Sequence, residues 1–109
     1  MISEYVLFDL PPGISREQVV ADMEAVIPAW RKNPDLIRKT FMYDPEANQA
    51  GALYTWYNRE AAEKAHGDEW RRRLWDTYQT VPTVRYFETP LIADNALGET
   101  VREQLKANN

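Results

Sequence analysis

The chain is 109 residues long, which suits one domain with a single core. Its 13 lysines and arginines stand against 17 aspartates and glutamates, a net charge of −4. That is the wrong sign for a protein that binds nucleic acid by neutralising phosphates. The chain has no cysteine, which excludes disulfides, thiolate nucleophiles and Cys-ligated zinc. No apolar run approaches the 18 or so residues of a membrane span, and the N-terminus lacks the pattern of a signal peptide. The expectation is a cytoplasmic protein with no nucleic-acid or membrane partner.

Residues Ser3–Leu10 are rich in strand formers and stop at the turn cluster Pro11-Pro12-Gly13. A helix follows from Ser15. Ser15 and Gln18 have capping-box spacing, and Ile14 and Val19 occupy the two staple positions. Val19, Met23, Val26, Ile27 and Trp30 then recur at the spacing of one buried stripe. Pro28 cannot donate to Glu24 and predicts a kink. Leu36–Tyr43 reads as a second strand, with Ile37, Lys39, Phe41 and Tyr43 on one face and Leu36, Arg38, Thr40 and Met42 on the other. Gln49–Tyr57 is a third strand, in which Gly51 suggests a bulge or a close backbone approach.

Asn58 can cap a short helix over Arg59–His66, and Asp68 a second over Glu69–Tyr78 carrying the stripe Trp70, Leu74, Tyr78. Val81–Glu88 is a fourth strand, which Pro82 places at an edge or a strand start. In the tail, residues 93–109, the spacing of Leu97, Val101 and Leu105 predicts an amphipathic helix that packs on a partner subunit, although Gly98 weakens it.

The order β-α-β-β-α-β is the ferredoxin-like α+β plan over residues 1–92: an antiparallel four-stranded sheet with helices on one face. The chain itself leaves the other face bare. Apolar residues there, Val6 and Phe8 if they point that way, would need a cover, since monomers seldom expose large apolar patches. Two sheets packed face to face predict a homodimer, a dimeric α+β barrel.

The segment Ile37–Trp56, IRKTFMYDPEANQAGALYTW, resembles the corresponding stretch of the YdhR-like monooxygenase family, a branch of the dimeric α+β barrel superfamily related to antibiotic-biosynthesis monooxygenases. The pieces that carry it are Lys39 with Phe41 two positions later and Ala50-Gly51-x-x-Tyr54, within a likeness spanning about residues 4–92. Phe41 stands where the family has Trp, and Ala52 where it often has a second Gly. The resemblance implies an oxygenase that acts on a small aromatic molecule, phenol- or hydroquinone-like, without metal or tightly bound cofactor. Flavin or haem remains open only as a substrate.

His66 is the only histidine and the natural proton-transfer group near neutral pH. In such an oxygenase it would take the phenolic proton and create the electron-rich anion that meets oxygen. Its other reading is a helix-end residue answering the dipole. Trp70 shares a face with His66 only if the helix runs through Gly67; otherwise it starts a core stripe. Tyr54 and Trp56 share a strand face with Ala50 and Ala52, a large–small pattern that leaves space for a pocket or packs an interface. Trp30 can roof such a pocket. Arg38 and Lys39 point to opposite faces, and one of them aims at an anion or forms a cross-strand ion pair. The expected site is therefore His66 as base, with Trp30, Lys39, Tyr54, Trp56 and Trp70 around the substrate and no metal. Two rivals use the same residues: a non-catalytic small-molecule binding dimer, and a haem protein with His66 as axial ligand.

Overall fold

A computed structural model describes residues 1–103 of the chain. Its elements are β1 (Ile2–Asp9), α1 (Arg16–Arg31), β2 (Leu36–Asp44), β3 (Gln49–Trp56), α2 (Arg59–Ala65), α3 (Asp68–Tyr78), β4 (Thr83–Glu88), β5 (Leu91–Asp94) and β6 (Glu99–Arg102). Strands β2-β3-β1-β4 make one antiparallel sheet in that order, and β5 and β6 a separate hairpin. The three helices cover one face of the four-stranded sheet, so the ferredoxin-like α+β plan holds.

The local signals act as expected at the starts of α1 and α2, while Asp68 does not cap α3. Ser15 Oγ accepts from the Gln18 amide at 3.1 Å, and Asn58 Oδ1 from the Ala61 amide at 2.8 Å. The Gln18 side chain does not reach back to complete a capping box; it donates forward to Asp22 at 2.7 Å. Helix α1 continues past Pro28 to Arg31, and α3 starts behind Gly67 with no side-chain cap.

Strand alternation then sorts the residues. Glu4, Val6 and Phe8 of β1 face the helices with Ala50, Ala52, Tyr54 and Trp56 of β3. Val6 and Phe8 thus lie in the core, not on the bare face considered for them. The bare face carries Tyr5, Leu7, Met42, Leu53 and Phe87 instead, across the registers Tyr5↔Leu53, Leu7↔Gly51, Met42↔Gly51 and Ser3↔Phe87. Gly51 sits on that face where β1 passes close. A methyl group added there would lie 1.9 Å from the Val6 carbonyl oxygen, so only glycine fits.

The tail departs from expectation. Residues 91–102 form the β5–β6 hairpin, not an amphipathic helix. Gly98 adopts a positive φ of 67°, which suits a turn and not a helix interior, and Asp94 Oδ1 accepts from the Leu97 amide across that turn. Val101 pairs with Ile92, while Leu105 lies outside the described residues. The hairpin is tied back at three places. Asp94 pairs with Arg38 of β2 at 2.8 Å, the Thr89 amide donates to the Met1 carbonyl, and the Met1 ammonium donates to Glu103, just past β6, at 2.5 Å. No helix among the described residues is long and apolar enough to cross a membrane.

Candidate functional site

Between α1, α3 and the sheet lies a cavity of about 610 Å³, a volume typical of small-molecule sites. The small side chains of Ala50 and Ala52 on β3 make the room, with the Gly51 backbone between them on the floor, and Val6 and Phe8 of β1 continue it. Trp30 from α1, Tyr54 from β3 and Trp70 from α3 wall it, with Lys39 and Phe41 of β2 at one end. At the other end the Tyr78 hydroxyl donates to Asp22. Burial and that bond to a carboxylate both push the Tyr78 phenol upward, so it stays protonated.

A smaller chamber of about 420 Å³ adjoins the first. The two share Trp30, Lys39 and Phe41, so these residues form the partition. Lys39 Nζ stands 4.3 Å from the Trp30 ring centroid, 4.2 Å from Phe41 and 4.9 Å from Tyr54. Alternation along β2 accounts for this: Lys39 and Phe41 fall on the helix face opposite Tyr54 and Ala52. Among the described residues no carboxylate is in ion-pair contact with Lys39. Burial brings its pKa down from 10.5 to about 7, against a smaller upward pull from the Glu4 carboxylate. The Tyr54 phenol is pushed up by burial and by the same Glu4 charge, so it is a hydrogen-bond donor across the working pH range.

His66 and Trp56 do not reach the cavity. His66 is 2% exposed as a residue and lies behind the wall. Its ring stacks on Trp30 with centroids 5.3 Å apart and meets Tyr54 edge-on at 4.6 Å and Trp70 at 4.5 Å. The chain does break at Gly67, yet His66 and Trp70 still touch. The Arg71 guanidinium, reaching back to the His66 carbonyl at 3.0 Å, helps hold that turn. Structure therefore gathers all the expected residues into one cluster, but only Trp30, Lys39, Tyr54 and Trp70 line the cavity.

Glu4 completes the cluster and was not singled out from the sequence. It is fully buried. Its Oε1 accepts from Trp56 Nε1 at 2.9 Å and also lies 2.9 Å from His66 Nδ1. The second approach is out of line for a hydrogen bond, so both imidazole nitrogens and Glu4 Oε2 are buried without a hydrogen-bond partner. The usable signal was phase. Glu4 alternates with Ile2, Val6 and Phe8 on the apolar face of β1, where an acid is held only by partners. Phe41 was legible in the same way, two positions from Lys39. Arg38, by contrast, pairs with Asp94 on the hairpin and lines only the smaller chamber, so Lys39 is the one of the two cations that faces the larger cavity. No group of three or more His, Cys, Asp or Glu side chains among the described residues is arranged to hold a metal ion.

No family model matches the chain, and no curated protein matches it significantly. Solved structures do. Rv0793 from Mycobacterium tuberculosis superposes with a TM-score of 0.60 at 12% identity, over 82% of this chain and 95% of that one. Protein SO0527 from Shewanella oneidensis superposes at 0.60 and 13% identity, over 81% and 90%. An antibiotic biosynthesis monooxygenase superposes at 0.59 and 15% identity, over 82% and 98%. At such identities the likeness speaks for the fold, which this chain shares with antibiotic biosynthesis monooxygenase-like proteins.

Proposed function

We propose that this chain is a cytoplasmic, YdhR-like homodimeric monooxygenase that oxygenates a small phenolic or hydroquinone-like molecule in the cavity of each subunit, without a resident cofactor. The observation that carries the reading is Lys39: an amine held at the cavity wall by three aromatic rings, facing no carboxylate, with a pKa near 7. Such a group accepts a phenolic proton or, as the ammonium, holds the resulting phenolate. Removing the proton makes the ring electron-rich toward oxygen. The conversion balances without another reductant: a phenol with a free para position plus O₂ gives the quinone plus water, the ring losing four electrons and O₂ gaining them. Trp30, Tyr54 and Trp70 position the ring by stacking and edge contacts. His66, which the sequence suggested as the base, supports these walls from behind together with Glu4 and Trp56. The apolar bare face of the sheet, with Leu53 40% and Phe87 43% exposed, supports the homodimer.

The test is oxygen uptake by the pure protein over phenols, naphthols and hydroquinones, with mass spectrometry of products made under ¹⁸O₂. Protein-dependent uptake, label in the product and loss of both in Lys39→Met are the expected results. A second reading, a binding dimer without turnover, draws on the sealing of His66 away from the cavity. Ligand-induced tryptophan quenching with no uptake from any quenching compound decides for it.

A further inference from the structure

The two chambers differ in charge, and the difference runs against the composition of the chain. In a protein with more acids than bases, the side chains lining both chambers include four cations, Arg31, Arg38, Lys39 and Arg73, and a single acid, Asp22. Three of the five charges already have partners. Arg73 pairs with Glu69 at 2.9 Å, Arg38 pairs with Asp94 at 2.8 Å, and Asp22 accepts from Tyr78 and Gln18. Among the described residues Arg31 and Lys39 have no ion-pair partner, and both line the smaller chamber. Lys39 stands on the partition and belongs to the larger one too. An aromatic chamber therefore adjoins, across one half-buried amine, a chamber whose only charged lining groups are positive.

A cation drawn partly out of water, as Lys39 is, calls for a counter-charge, and the exposed Arg31 adds a second positive charge to the same chamber. The guanidinium of Arg31 offers a planar donor fork suited to a carboxylate, and the Lys39 ammonium has three protons to donate in different directions. We infer that the ligand of this paired cavity is a hydroxylated aromatic carboxylic acid: its rings lie against Trp30, Tyr54 and Trp70, its phenolic oxygen on Lys39, and its carboxylate past Lys39 toward Arg31. The inference rests on the aromatic-cavity reading above and adds the anionic group. It also states a division of labour: the larger chamber recognises the ring, and the smaller one holds the carboxylate.

Isothermal titration of the full-length protein with 1-hydroxy-2-naphthoic acid, its carboxamide and 1-naphthol tests this apart from any turnover. The acid is expected to bind at least about tenfold more tightly than the carboxamide, the usual scale for a charge-assisted hydrogen bond. That preference should shrink to within about twofold in Lys39→Met and fall about threefold in Arg31→Gln, whose exposed side chain leaves folding untouched. The affinity of the acid, not that of the carboxamide, should weaken as pH rises above 7, because Lys39 then loses its proton in the free protein. Equal binding of acid and carboxamide, or a preference that survives in both variants, overturns the carboxylate inference and leaves the aromatic cavity standing. Failure of all three naphthyl compounds to bind overturns the inference and the aromatic cavity together.

Discussion

Two ionisable groups stand on opposite sides of the same aromatic wall, and they have different fates. Glu4 enters from β1, is fully buried, and meets Trp56 Nε1 and His66 in a chamber no ligand reaches. Lys39 enters from β2 on the same face of the sheet, yet it lines two cavities and meets only rings. Strand position separates them. β1 is central, between β3 and β4, so its inward side chains are enclosed; β2 is the sheet edge, with a strand on one side only, and its Lys39 stands between two cavities. A charge on a central strand must find an internal partner, whereas one near an edge can be left for a ligand.

The largest effect that sharpens this contrast is expected on the sealed side. Glu4→Ala leaves the Trp56 indole N–H buried with no acceptor and removes the carboxylate beside His66, and should cost about 3 kcal/mol or more of stability in urea unfolding. A loss under about 1 kcal/mol would mean that Glu4 does not organise the cluster.

Lys39→Met should do the reverse. The pKa of Lys39 falls from 10.5 to about 7 on folding, so between those values the unfolded chain binds more protons than the folded one. Stability contributed through this group therefore rises with pH across that window, and the penalty of burying the charge is fully present below it. Removing the amine should stabilise the protein by about 1–3 kcal/mol at pH 6, with the gain fading toward pH 10. Unfolding curves at the two pH values measure it, and a destabilised variant at pH 6 would put Lys39 among the structural groups with Glu4.

Trp70→Ala breaks the wall itself. In the native protein His66 should resist diethyl pyrocarbonate, because its ring is shut behind Trp30, Tyr54 and Trp70. Removing one indole should open a path from the cavity and speed modification by about tenfold or more, read by mass spectrometry. Equal rates in both proteins would show that Trp70 is not the barrier.

The smallest effect is expected at Arg38, whose bond to Asp94 is the main cause holding that carboxyl below the usual carboxylate range. Arg38→Ala should barely move the melting temperature, since Arg38 is half exposed. It should speed amide exchange in the Leu91–Arg102 hairpin. Acid should do likewise in the native protein, because a carboxylate with a lowered pKa loses its contribution as pH falls through that value. Unchanged exchange would locate the hairpin's anchor at the contacts of Met1 with Thr89 and Glu103.

Much of this architecture was legible in the sequence because it is written in local chemistry. Ser15 and Asn58 announced their helices through side-chain oxygens that cap amides three residues on. Alternation put Lys39, Phe41 and Tyr43 on one face of β2, and the lone glycine of β3 marked the close pass of β1. The tail misled for a physical reason as well. Leu97 and Val101 lie four apart, which fits a helical stripe, but Gly98 between them takes a left-handed turn and folds the segment back on itself.

What the residues determined by themselves is the set of elements, the order that makes a ferredoxin-like sheet, and the aromatic character of the space above it. Caps, turns and periodicities act within a few residues, so one chain read in order contains them. Which rings face a ligand was decided only by tertiary structure. His66 and Trp70 are four residues apart and touch, yet one lies outside the cavity and the other lines it. The pairing of Glu4 with Trp56 and His66 joins segments 52 residues and more apart, and Arg38 finds its partner, Asp94, 56 residues on. Burial and charge pairing are properties of the packed molecule, because they depend on what the rest of the chain brings to the same few ångströms.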